Sequence, residues 1–206
     1  TVELAARVRE LLGVPGMSVD IALGFRDKAL MAERAKAAGV RVPHTFRVRT
    51  SKEAWEAVEQ TGFPVILKPI AGAGSADTFR CNDAEEFATA LGRTRHVKEA
   101  LVAEFIDGEE FTCDAVVINN EPVFESITQY APRPLIARSE QWISPSQLTY
   151  RNPYRPELMG GIEMSRKVIA GLQLGTGFTH MEWYRTTKGE VVFGEIGARN
   201  GGGHLV

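Results

Sequence analysis

The chain has 206 residues, 44% hydrophobic and 24% charged, which supplies enough apolar material for one sizeable core or two smaller subdomains sharing an interface. Twenty-four basic against 26 acidic residues give a formal charge of -2. That balance offers no global electrostatic case for nucleic acid or an anionic membrane, so any anion binding must be local. No apolar run approaches the roughly 18 residues of a membrane span, and the first residues lack the basic and apolar regions of a signal peptide, so a cytoplasmic location is expected. Cys81 and Cys113 stand singly in strand-like segments and read as small buried hydrophobes. The chain opens without methionine and stops just after a glycine-rich stretch, so it reads as part of a longer protein.

In chain order, Asp27 begins a helix over 27–39 that ends at Gly39, and 40–48 reads as extended around Pro43. Ser51 can cap a helix running through Trp55 and Val58 to Gly62. PVILKP (64–69) is then a short buried strand, followed by a small-residue loop and a second strand at 78–80. Asn82-Asp83-Ala84-Glu85 has capping-box spacing and starts a helix to about Leu91, after which ALVAEFI (100–106) is a strand. Segments 110–118 and 122–128 flank Asn119-Asn120, a pair that tolerates the positive backbone angles of a tight hairpin. The stretch 130–156, rich in proline and arginine and without period, is expected to be a long functional loop or lid. A helix over 157–174 stops at Gly175 and two strands follow, 178–185 and 191–199, around TTKGE. Helices and hairpins mix without regular alternation, which predicts an α+β fold.

Centring the last turn between Lys188 and Gly189 makes Glu182 and Glu195 cross-strand partners. Directly opposed side chains have Cβ atoms roughly 4.5–5.5 Å apart, where two like charges destabilise a sheet unless something neutralises them. Alternation places Phe178, His180, Glu182 and Tyr184 on one face with Phe193, Glu195, Gly197 and Arg199, and sends Met181, Trp183, Val192 and Ile196 to the other. A divalent cation would neutralise the pair, and oxygen ligands without cysteine favour Mg²⁺ or Mn²⁺ over zinc. A solvent-facing acidic pair on an edge hairpin is the alternative. Magnesium commonly completes its shell with phosphates. Lys68 ends the strand 64–69 and precedes Ala71-Gly72-Ala73-Gly74-Ser75-Ala76, where minimal side chains let backbone N–H groups approach a phosphate. A lysine before the glycines is not a Walker loop, and a plain hairpin tip would read the same.

Taken together, Asp27-Lys28, FPVILKP with its glycine-rich loop, AEFIDGEEFT (103–112) and GEIGARNGGG (194–203) resemble the ATP-grasp superfamily in order and spacing. The likeness is closest to the carboxylate-amine ligase and biotin-carboxylase-like branch. It implies two α+β subdomains with antiparallel sheets gripping ATP between them. Residues 1–36 would lead in, 37–105 would form the small lid subdomain, and 106–206 the large subdomain with the metal-binding hairpin. It implies that Lys28 and Lys68 contact the phosphates, that Gly72, Gly74 and Ser75 fold over them, and that Glu104, Phe105 and Ile106 form the adenine hinge. By the same transfer Glu110 accepts from the ribose hydroxyls, Glu182 and Glu195 hold Mg²⁺, and Arg199 steadies the acyl phosphate or the substrate. Gly197 departs from the family, many of whose members have asparagine there as a further ligand. His180, opposite it, could fill the gap, bind substrate or simply pack.

The resemblance implies a ligase that passes the γ-phosphate of ATP to a small-molecule carboxylate, whose acyl phosphate an amine or similar nucleophile then attacks. Bicarbonate activation is the rival within the enzyme class, and a non-catalytic ATP-binding module the rival outside it. Arg133 and Arg138 are candidates to grip a substrate carboxylate, or are solvated loop charges. A homodimer is compatible with this reading.

Overall fold

The chain opens with three helices, α1 (Val2–Leu12), α2 (Val19–Gly24) and α3 (Lys28–Ala37), in a computed structural model that describes residues 2–71, 77–139, 142–144 and 146–202. Helix α3 starts where the sequence predicts, because the Asp27 carboxylate accepts from the Ala29 and Leu30 amides at 3.0 Å and satisfies two otherwise orphaned donors. It gives way to Gly39 at φ +79, a conformation that glycine adopts without strain.

The first sheet has strands β1 (Thr45–Val48), β2 (Val65–Pro69), β3 (Phe79–Cys81) and β4 (Ala100–Glu104), all antiparallel in the order β1-β4-β2-β3. Helices α4 (Ser51–Thr61) and α5 (Ala84–Arg93) cover one face, and Val48, Ala54, Val58, Val65, Leu67, Phe87 and Val102 form the core between them. Both helices begin one residue away from the expected cap. Thr50, not Ser51, caps α4, its hydroxyl accepting from Glu53 N at 3.2 Å. Asp83, not Asn82, caps α5, accepting from the Glu85 and Glu86 amides, while the Glu86 carboxylate reaches back to Asn82 N at 2.7 Å. The box closes one position later because Glu86, and not Glu85, lies three residues after the capping side chain. Alternation along β2 buries Val65 and Leu67 and turns Ile66 and Lys68 to the opposite face.

The second sheet has strands β5 (Gly108–Ile118), β6 (Glu121–Ala131), β7 (Ser146–Thr149), β8 (Gly177–Thr186) and β9 (Val191–Gly197), in the order β7-β6-β5-β8-β9. The β5–β6 turn is the expected one, with Asn119 and Asn120 at φ 51 and 67. The stretch 130–156 is more ordered than its composition predicts. β6 runs on to Ala131, a short helix α6 (Pro134–Ser139) follows, and β7 pairs with β6 from Thr128↔Thr149 to Ala131↔Ser146. Side chains secure that edge, since the Thr128 and Thr149 hydroxyls lie 2.9 Å apart and Tyr150 Oη donates to Gln129 at 2.8 Å.

Helix α7 (Met159–Leu172) buries one face of this sheet, and α3 adds Met31 and Ala35 to the same core. Trp183 stacks on Phe111 with centroids 4.5 Å apart. Gly161 of α7 lies so close to that indole that a Cβ would stand 2.4 Å from its ring atoms. The chain passes between the two sheets at residues 105–107. A second attachment lies at the start of α3, where Lys28 N donates to Ile70 O at 3.1 Å and Arg47 pairs with Asp27 and Glu99.

Candidate active site

The face of the second sheet turned away from α7 is polar in successive rows, because β5 and β8 alternate in phase. Glu110 pairs with Tyr184, Thr112 with Glu182, and Asp114 with His180. β9 continues the rows, with Glu182 opposite Glu195 and His180 opposite Gly197. The carboxylate pairing is the expected one, but the route to it differs. The turn is short and centred on Lys188, with Gly189 at φ +80, so the strands leave it with Trp183 opposite Phe193, and the register then shifts between Glu182 and Trp183. Gly194 is the extra residue of this bulge, where a Cβ would stand 2.8 Å from the Glu182 carbonyl oxygen. Phe193 therefore joins Trp183 in the core and not the polar face.

Two lysines approach the carboxylates from different elements. Lys28 Nζ lies 3.4 Å from Glu195 Oε2, in a partly buried pair. Lys68 extends from β2 into the field of Glu195, Glu182 and Glu110 and of the like-charged Lys28. Burial is the largest influence on its ammonium and lowers its pKa, with Lys28 adding to that and the carboxylates opposing it. Burial likewise pushes Glu110 up to about 7, helped by Glu182 and resisted by Arg133. Tyr184 is raised above the usual phenol range, chiefly by burial and then by Glu110 and Glu182.

His180 Nδ1 lies 2.7 Å from Asp114 Oδ1, and Asp114 Oδ2 accepts from the Thr112 hydroxyl at 2.9 Å. The other ring nitrogen lies 3.8 Å from Glu182 Oε1. Burial pulls the imidazolium down, but the hydrogen bonds and charges of Asp114 and Glu182 outweigh it and leave the group at about 9. Arg199 lines a small cavity of about 40 Å³ with Lys28, His180, Glu195 and Gly197, and donates to Asn200 O at 2.8 Å.

The structure thus gathers Lys28, Lys68, Glu110, Glu182 and Glu195 into one charged cluster, with Arg199 at its rim. Residues 104–106, expected from the resemblance to form a hinge, stand at one end. Glu104 turns its carboxylate to Arg41 at 2.8 Å and to His44 N at 3.1 Å. The guanidinium groups of Arg80, at 4.1 Å, and Arg133, at 5.1 Å, both lie over the Phe105 ring, while Ile106 is buried. Beside residues 105–108, a cleft of about 900 Å³ opens between β3, α5 and α6. Gly72, Gly74 and Ser75 lie outside the described residues, as does the side chain of Arg138, whose backbone is in α6. Asp114 escaped sequence reasoning, although the polar alternation Glu110, Thr112, Asp114 along β5 signals it; Arg133 and Glu110 are both sequence candidates, but their pairing with each other joins residues with no local pattern in common.

Glu182 and Glu195 fit a hard divalent cation, since opposed carboxylates beside two lysines suit an ion that shares phosphate ligands. Among the described residues no set of three His, Cys, Asp or Glu side chains is arranged to hold a metal alone, so further ligands would have to come from phosphate and water. No helix among them is long and apolar enough to cross a membrane.

The two facing sheets and this cluster define the class of protein. The ATP-grasp domain family model matches residues 61–206, and the chain belongs to that family. An L-arginine-specific L-amino acid ligase from Bacillus subtilis is 29% identical over 96% of this chain and 49% of its own length. Dapdiamide A synthase from Enterobacter agglomerans is 28% identical over 89% of this chain and 44% of its own length. Among solved structures, an L-amino acid ligase from Bacillus licheniformis superposes with a TM-score of 0.79 at 19% identity, covering 97% of this chain and 47% of that one. A D-Ala:D-Ser ligase from Enterococcus faecalis gives 0.76 at 20% identity, covering 94% and 59%. The chain spans about half the length of the curated relatives it matches.

Proposed function

We propose that the chain is the nucleotide-gripping part of an ATP-dependent carboxylate-amine ligase. The observation that carries this reading is the convergence of Lys28 and Lys68, from separate elements, on the opposed pair Glu182 and Glu195. Ligase relatives that align with most of the chain support it. Glu182 and Glu195 would hold Mg²⁺ or Mn²⁺, which supplies charge neutralisation to the transferring phosphoryl group. The lysines would bind the β- and γ-phosphates, and Arg199 would face the developing acyl phosphate from the rim. Glu110 would receive the ribose, and residues 104–106 the adenine edge. No protein nucleophile is required, because the substrate carboxylate attacks the γ-phosphate and an amine displaces inorganic phosphate. The co-substrates would be a small carboxylic acid and an amine, as the names of the relatives suggest. The division at 36/37 and 105/106 belongs to the same proposal.

Gly197 favours a second reading, in which the chain binds nucleotide without turnover, because the residue offers no side-chain ligand. Magnesium-dependent ADP release by the full chain, measured with a panel of amino acids, other carboxylic acids and bicarbonate, separates the two. Release that depends on an amino acid and falls by an order of magnitude or more in Glu195→Gln is expected. No release with any acid, together with retained ATP binding, would leave the binding module.

A further inference from the structure

Arg133 follows the strand β6, and its guanidinium joins the hinge to the polar face. Its Nε lies 3.1 Å from Glu110 Oε2 and its Nη1 donates to the Ile106 carbonyl at 2.9 Å. The same group stacks over the Phe105 ring at 5.1 Å and over the Tyr184 ring at 4.9 Å. Both partners of the ion pair are enclosed, with side-chain exposures of 14% for Arg133 and 7% for Glu110. A guanidinium held by two hydrogen bonds and two rings has little rotamer freedom left, and its planar fork fixes the direction of the carboxylate it meets. Sequence reasoning offers Arg133 as a clamp for a substrate carboxylate, but the carboxylate it holds is the chain's own.

We propose that Arg133 is the positioning residue for ribose recognition, bridging Glu110 to the hinge carbonyl of Ile106 so that one Glu110 oxygen is aimed at the nucleotide. The proposal rests on the reading of the chain as an ATP-binding domain. The bridge occupies Oε2 of Glu110 and leaves Oε1 for the sugar. It also fixes the spacing between the sugar contact and residues 104–106, so that base and ribose are read by one rigid unit. Without the bridge, Glu110 would keep neither its direction nor its fixed spacing from residues 104–106, and its free oxygen would no longer be aimed at the hydroxyl donors of the ribose.

The test is the ratio of dissociation constants for 2′,3′-dideoxy-ATP and ATP, measured by equilibrium titration of the full chain. Wild type is expected to favour ATP by at least about tenfold, the value of one hydrogen bond to a charged group. Arg133→Met keeps the aliphatic stem against Phe105 and Tyr184, and the ratio is expected to collapse to within about twofold of that of Glu110→Gln. Arg133→Lys keeps a cation without the fork and serves as the second variant, with the same collapse expected. A wild-type ratio in either folded variant overturns the proposal alone. A wild type that binds ATP no better than the dideoxy analogue removes the ribose role of Glu110 and the proposal with it. A wild type that binds neither nucleotide overturns the ATP-binding reading itself.

Discussion

Gly194 offers the sharpest test of how the site is built. Its backbone angle lies outside the left-handed region, so an alanine there faces no torsional penalty, only crowding. The added methyl would stand 2.8 Å from the Glu182 carbonyl oxygen, 3.2 Å from its carbon and 3.2 Å from Tyr184 Cε2. Two of these atoms are strand backbone, which cannot step aside as the end of a flexible side chain can. Overpacking of this kind costs about 1–3 kcal/mol. For a chain of this size each kcal/mol lowers Tm by roughly 2–4 °C, so Gly194→Ala should melt roughly 2–12 °C lower. Pushing β9 away from β8 also separates Glu195 from Glu182, so magnesium-dependent nucleotide affinity should fall about tenfold while metal-free affinity changes little. Gly92, inside α5 with no atom within 4 Å of its Cβ position, is the internal control. The same change there should stabilise by about 0.5–1 kcal/mol, because alanine is the better helix former. A Gly194→Ala chain with unchanged Tm and unchanged magnesium dependence would refute the view that the bulge sets the carboxylate register.

Three further outcomes follow from contacts elsewhere. Gly161→Ala should lower Tm by a similar amount through its clash with the Trp183 indole, with near-ultraviolet circular dichroism reporting the disturbed ring. The Asp114–His180 pair should make stability fall with rising pH. A histidine raised to about 9 contributes stability that is fully present below its unfolded value of about 6.5 and lost as pH rises through 9. Urea midpoints taken between pH 6.5 and 10 should therefore drop in wild type and drop less in Asp114→Asn; parallel curves would count against the pair. Replacing Glu104 by glutamine should weaken its contacts with Arg41 and His44 N and raise protease susceptibility near residues 40–44, which limited proteolysis followed by mass spectrometry would read.

Much of the fold is legible in the residues because local rules act alone there. Asp27 before an alanine-rich run, Asn119-Asn120 between alternating segments and Gly39 after a helix each specify geometry within a few positions. The caps of α4 and α5 slipped by one residue because neighbouring polar side chains compete for the same amides, and only packing chooses among them. Residues 130–156 hid a strand because β7 is stabilised by pairing with β6 and not by its own polar sequence. The acidic pair was legible, but by two compensating departures. The turn centres on Lys188 and not beyond it, and the bulge at Gly194 restores the offset before Glu195 is reached. Contacts that join distant elements, such as Arg133 with Glu110 or Asp114 with His180, have no local signature because they arise only when the folded strands bring those positions together.

The two attachments between the sheets set a mechanical limit. One is the double chain crossing at residues 38–44 and 105–107, tied together where Glu104 N donates to His44 O and Arg41 pairs with both Glu104 and Glu190; the other is the bond from Lys28 N to Ile70 O with its Asp27, Arg47 and Glu99 neighbours. A body fastened at two points keeps one easy motion, rotation about the line joining them, as a door turns on its pins. Lys68, two residues from the Ile70 pin, stays near that axis and sweeps a short arc. The swing belongs to the opposite margin, where β3 forms the edge of the first sheet. Such a clamp can open at its side while Lys28 and Lys68 remain almost in register with Glu182 and Glu195.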